Sequence, residues 1–125
     1  MTAPPPPPEN IALLVEVLGL DNALRLIEAK GGTRYWVPMA LRNSSQELQD
    51  EVEAEFGKEM AKALIRGFGG GYIVVPLCHE WRTALYAHRG MPVAKIALKL
   101  GCHTETVYRR IGRRREENRQ SAWKF

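Results

Sequence analysis

The chain has 125 residues, 45% of them hydrophobic and 26% charged, with a formal net charge of +4. That length holds one domain, or two very small ones sharing a core, and the balance is that of a folded soluble protein. No apolar run reaches the roughly 20 residues a membrane helix needs.

The longest apolar run, Ile11 to Leu20, carries Glu16, and the opening MTAPPPPPEN lacks the positive residues and cleavage site of a signal peptide. Cys78 and Cys102 lie far apart and suggest no disulfide framework. The expectation is a cytoplasmic protein with no membrane partner. Pro4 to Pro8 read as a stiff polyproline leader over residues 1–9, with no packing partner of its own.

Residues 10–76 contain an internal duplication. GLDNALRLIEAKGGTRYWVP at 19–38 aligns without gaps on GKEMAKALIRGFGGGYIVVP at 57–76, with eight of twenty positions identical. Leu14 and Leu18 align with Val52 and Phe56, so the match extends backwards in kind. In the first copy Leu24 and Ile27 recur at helical spacing, with Asp21 as the expected cap. In the second, a helix is expected from Ser45 through Gly57 to about Arg66. Leu48, Val52, Phe56 and Met60 form its stripe, and Ser44 with Glu47 a capping box. A Gly pair, Gly31-Gly32 or Gly69-Gly70, then ends the helix. A β-prone run follows, 34–37 or 72–75, and Pro38 or Pro76 stops it. Two such short strands must pair with each other or with those of a second chain, and the sequence allows both. Self-association is assigned to this region.

After Pro76 the pattern is helical in three segments. The first runs from about Leu77 to Arg89, with Leu77, Trp81, Ala84, Leu85 and His88 on one face. The second runs from Pro92, placed as its first residue, to Leu100. Gly101-Cys102-His103 make a turn, Thr104 is the expected N-cap, and the third helix begins near Glu105. Within VAKIALKLGCHTETVYRRI, Ala97 stands where two helices would cross closely. Gly101 supplies the positive φ of the turn, while Ile96, Leu100, Cys102, Val107 and Ile111 fall where the helices must be joined. This is the spacing of a helix-turn-helix. The fold class expected is therefore mainly α with two short β-strands: an N-terminal helix-strand repeat region, then a C-terminal helix-turn-helix over 77–125 with a basic tail.

Charge follows the same division. Residues 1–76 carry seven Lys/Arg against ten Asp/Glu, and residues 77–125 carry eleven against four, nets of −3 and +7. A basic back half suits a polyanion. In a helix-turn-helix the third helix presents its N-terminal residues to base edges in the major groove. The candidates are His103, Thr104, Glu105, Thr106, Tyr108 and Arg109. Arg109 suits a bidentate pair with guanine, and Glu105 an acceptor for cytosine N4. Arg110, Arg113, Arg114 and Arg115 lie further along, where phosphate contact is expected. The partner expected is double-stranded DNA, and the expected role is sequence-specific transcription regulation.

GGGYIVVP followed by ALYAHRGMPVAKIALKLGCHTETVYRRI resembles the Mor/C family of phage transcription activators. The likeness is carried by Gly69-Gly70, Tyr72, Val75-Pro76 and Val107-Tyr108-Arg109, across roughly residues 45–115. The resemblance implies a homodimer on a dyad-related promoter site in a bacterial host, activating phage genes by recruiting RNA polymerase. It also implies that Thr104 to Arg110 read the site and that the Gly-Gly-strand segment lines the dimer interface. This chain departs from the family's expected single Gly-Gly-strand-Pro unit in carrying two.

No enzyme is expected: His79, His88 and His103 have no carboxylate at a relay spacing. No cofactor or metal is expected either, since Cys78-His79 and Cys102-His103 lack zinc-ligand spacing. The glycine run at 67–71 precedes a strand rather than joining strand to helix, unlike a phosphate loop. Trp36, Trp81 and Trp123 read as core or interface. The rival class is a phage DNA-packaging or other assembly subunit, which would use the same motif in a ring of many chains.

Overall fold

Gly19 and Gly57, equivalent positions of the two copies, hold φ of 83° and 90° with ψ of 160° and 162°. That region of dihedral space is essentially closed to other residues, so the chain turns a corner between two helices in each copy. The computed structural model describes residues 3–39 and 46–122, with side chains except at Gln46, Arg114 and 116–122. By contact it divides into two units, residues 7–77 and the described parts of Met1–Pro6 with Cys78–Phe125. The class is mainly helical with a two-stranded antiparallel sheet, as the sequence led us to expect.

In the first unit a 3-10 turn, Glu9–Ile11, leads into α1 (Ala12–Leu18), α2 (Leu20–Lys30) and β1 (Thr33–Val37). Then come α3 (Gln46–Phe56), α4 (Lys58–Phe68) and β2 (Gly71–Val75). The single helix expected from Ser45 to Arg66 is thus two helices broken at Gly57. Leu48, set on its stripe, is exposed, while Val52, Phe56 and Met60 are buried. Gly19 occupies the N-cap position of α2 with no side-chain cap, and Asp21 sits inside the first turn. There its charge meets the positive end of the helix dipole. The capping box proposed for Ser44 lies outside the described residues.

The core is the duplication made physical. Leu14, Leu18, Ala23, Leu26 and Val37 are buried, and so are their equivalents Val52, Phe56, Ala61, Leu64 and Val75. The strands pair antiparallel within the chain, in a register that sets Thr33 opposite Val75 and Tyr35 opposite Ile73. Each helix pair ends alike. Gly31 and Gly69 donate to the carbonyls of Ile27 and Ile65 at 2.8 and 2.9 Å. Gly32 and Gly70 follow with φ of 83° and 84°. Gly32 N donates to Val75 O at 2.6 Å, and Gly70 N to Val37 O at 2.8 Å.

In the second unit α5 (His79–His88), α6 (Val93–Leu100) and α7 (Thr104–Ala122) pack against one another. Helix α5 starts two residues later than expected, and Leu77 packs instead over Gly32 in the first unit. Its buried side chains are Trp81, Arg82, Thr83, Leu85 and Tyr86, while His88 is exposed. Pro92 stands just before α6 with extended ψ of 146°, not as its first helical residue. The proline segment is not a free leader: Pro5 is buried, and its carbonyl accepts the Trp81 indole N–H at 3.2 Å. Of the other tryptophans, Trp36 is 41% exposed, and Trp123 lies outside the described residues.

A side chain at Gly32 or Gly70 must adopt left-handed backbone and also displace Leu77 or Met39. Gly32→Ala and Gly70→Ala should each lower stability by about 1–2 kcal/mol. Native-state hydrogen exchange at the β1 and β2 amides measures this; protection equal to the parent chain would contradict the assigned strain.

Candidate nucleic-acid interface

The turn between α6 and α7 is built from two backbone hydrogen bonds. Cys102 N donates to Ala97 O at 3.0 Å and Gly101 N to Leu98 O at 3.4 Å, while Gly101 holds φ 66°, ψ 37°. This is a Schellman ending, in which a glycine takes the left-handed position. The same ending closes α5, where Met91 N reaches Tyr86 O and Gly90 N reaches Ala87 O, both at 3.0 Å. Gly90 there has φ 81°. Ile96, Ala97, Leu100 and Val107 are buried, so α6 and α7 meet along the positions their spacing suggested. Cys102 and Ile111 are half-buried.

Helix α7 begins one residue earlier than expected. The carbonyl of His103 accepts the N–H groups of Thr106 and Val107 at 3.0 and 3.3 Å, so His103 holds the N-cap position and Thr104 is the first helical residue. A helical start needs a carbonyl that can accept, and any residue supplies one. The preference for Thr as a cap was here the weaker constraint.

With Val107 turned inward, His103, Thr104, Glu105, Tyr108 and Arg109 are exposed, and Tyr108 keeps 63% of its surface open. Glu105, Tyr108, Arg109 and the exposed Gly112 follow the 3–4 spacing of one helix face. Thr106 is half-buried. The structure therefore brings five of the six proposed reading residues to one outward surface at the start of α7.

The arginines further along α7 differ in their surroundings. Arg110 is half-buried, its guanidinium 3.5 Å from Thr83 Oγ1 on α5. Arg113 is exposed and pairs with Glu80 of α5 at 3.0 Å. Such an exposed pair contributes at most about 1 kcal/mol, which leaves Arg113 able to exchange partners. Arg115 is exposed. Arg114 lies on α7, and its side chain is outside those described.

Sequence reasoning passed over the polar support beneath this surface. Arg82 is 4% exposed, donates from Nε to Tyr86 Oη at 3.1 Å, and lies over the Tyr86 ring at 5.7 Å. Lys99 of α6 covers the same ring at 5.6 Å. Thr83 donates to His79 O at 2.7 Å. The available signal was the i, i+4 spacing of Arg82 and Tyr86, which puts a cation and a phenol on one face. Burial pushes the Cys78 thiol up, with Arg82 opposing, a balance that favours the neutral thiol over the thiolate. Among the described residues no group of three or more His, Cys, Asp or Glu could hold a metal ion. No described helix is long and apolar enough to cross a membrane.

No protein-family model, curated protein or solved structure matches the chain.

Burial, then Arg110 and then Arg82, hold His79 below its usual pKa of 6.5. Its folded form resists protonation more than its unfolded form does. Above pH 6.5 both states are neutral and His79 adds no pH dependence. As pH falls from 6.5 through the lowered folded value, the unfolded state binds the proton first and stability drops. His79→Gln should flatten this part of the stability profile, measured by urea unfolding between neutral and mildly acid pH. An unchanged slope would assign it to other groups.

Proposed function

We propose that the protein is a sequence-specific double-stranded DNA-binding transcription regulator that reads its site with α7. The observation that carries this reading is the surface at the start of α7. The Gly101 turn and the buried Val107 face leave Thr104, Glu105, Tyr108 and Arg109 outward together. A helix set in this way enters a major groove with its N-terminal residues on base edges. The +7 balance of residues 77–125 favours association with phosphate.

Arg109 is the base-reading residue and pairs with guanine, while Glu105 accepts from cytosine. His103, Thr104, Thr106 and Tyr108 frame the contact. Arg113, Arg114 and Arg115 approach the phosphates as α7 leaves the groove, and Arg110 braces α7 on α5. One reading helix spans few base pairs, so two chains occupy half-sites about one DNA turn apart, as a homodimer on the site. The likeness of residues 45–115 to the Mor/C activators supports a phage or prophage activator that works with RNA polymerase in the cytoplasm of a bacterial host.

Arg109→Ala should weaken the preferred site by about 1–3 kcal/mol and relax discrimination at one or two base pairs. Arg115→Ala should weaken all duplexes alike and reduce the slope of log affinity against log salt by about one. Competition between preferred and scrambled duplexes at several salt concentrations reads both. If Arg109→Ala weakened the two duplexes by the same factor, Arg109 would not be reading bases.

A further inference from the structure

The contacts between the two copies are reciprocal. Tyr35 and Ile73 occupy equivalent positions in the alignment, and they face each other at the centre of the ladder. Every other pair is then exchanged by the repeat offset, so that Thr33 faces Val75 while Val37 faces Gly71. The glycine hydrogen bonds follow suit: Gly32 of the first copy donates to Val75 of the second, and Gly70 of the second to Val37 of the first. So do the side chains after the prolines. Leu77 lies over Gly32, and its equivalent Met39 lies over Gly70. A contact in which i meets j while the equivalent of j meets the equivalent of i is the isologous pattern of a twofold dimer. Here both partners belong to one chain.

The halves have also diverged at their outer crossings. Gly67 of α4 approaches α1 so closely that an added Cβ would lie 2.6 Å from Val17 Cγ1. The equivalent positions are Ala29 and Glu55, and Glu55 instead bridges to Lys30 at 3.1 Å. The first copy therefore fits the second better than either would fit its own duplicate. Only residues 38–45 separate β1 from α3, so the copies meet at the high effective concentration of a short tether. A second chain at micromolar concentration does not compete.

We infer that residues 7–77 are a fused pseudo-dimer whose self-complementary contact is closed within one chain, so that the free chain is a monomer and two chains meet only on DNA. The last clause rests on the proposed DNA reading; the first two do not. The inference also moves self-association away from the region to which the sequence assigned it. A twofold platform then carries one reading domain, because only the second copy is followed by a helix-turn-helix.

Sedimentation of the full chain, from low micromolar to its highest soluble concentration, should show one species near 14.1 kDa. Arg34 and Val74 face each other directly and are exposed. Opposed antiparallel residues have Cα separations within disulfide range. Arg34→Cys with Val74→Cys, in a Cys78→Ala, Cys102→Ala background, should oxidise to a cross-link that runs at monomer mass without reductant. A cross-link at dimer mass would show that the strands pair between chains and would overturn the inference. So would a free dimer whose cross-link stays within each chain, since another surface would then join the chains without DNA. On duplex carrying two half-sites the monomer should bind as two chains, and on one half-site as one. A monomer with the intrachain cross-link that binds no duplex would uphold the closed platform and remove the DNA reading alone.

Discussion

The exchange of hydrogen bonds between Gly32 and Val75, and between Gly70 and Val37, holds the order of residues 7–77. A two-stranded ribbon is marginal in isolation, and each strand here has only five residues. What makes the ribbon stable is that both strands are delivered by the same device: a helix closed by a first glycine and a second glycine at positive φ. That device fixes register at both ends of the ladder at once. Val37 and Val75, the last strand residues, are fully buried as a result. Helices α2 and α4 pack on both strands of the ribbon, and Phe56 of α3 meets Tyr35 edge-on at 6.3 Å. The other side carries Trp36 and Tyr72 at 4.9 Å, with Arg34 over the Tyr72 ring.

The C-terminal unit solves a different problem with the same residue type. Its three helices are separated by two Schellman turns at Gly90 and Gly101, which pair the carbonyls of Tyr86 and Ala87 in α5 and of Ala97 and Leu98 in α6 as those helices stop. The turn at Gly101 is what allows α7 to leave α6 with its first residues outward. The Arg82–Tyr86 pair and the Thr83–His79 bond then stiffen α5, the helix against which α7 rests.

Much of this was legible because periodicity and glycine placement speak directly about burial and backbone. The strands were read to within one residue, Ala97 and Val107 are buried as their spacing suggested, and Gly101 takes the left-handed turn. The failures have physical causes. Gly57 was read through because a lone glycine costs a helix only about 1 kcal/mol; its equivalence with Gly19 was the overlooked sign of a corner. Arg82 was passed over because a charged residue reads as solvent-facing, although a guanidinium resting on an aromatic ring buries readily. Pro5 was assigned to a free leader because its partner is 76 positions away, far beyond any local pattern. The outward face of α7 followed from its period, whereas the turning of Arg110 and Arg113 towards α5 depends on tertiary contacts.

The hydrogen bond from Trp81 to Pro5 gives the chain the topology of an insertion. The described parts of Met1–Pro6 belong to the same unit as those of Cys78–Phe125, and residues 7–77 are inserted between them in the chain. Closing a long flexible loop costs entropy that grows with the logarithm of its length. An inserted segment that is already folded removes most of that cost by holding its own ends in place. Order of assembly follows: residues 7–77 can complete their ribbon while still on the ribosome, and the proline segment waits for α5 to emerge before it finds its site. The unit of α5, α6 and α7 thereby gains its proline contact only after residues 7–77 have been made.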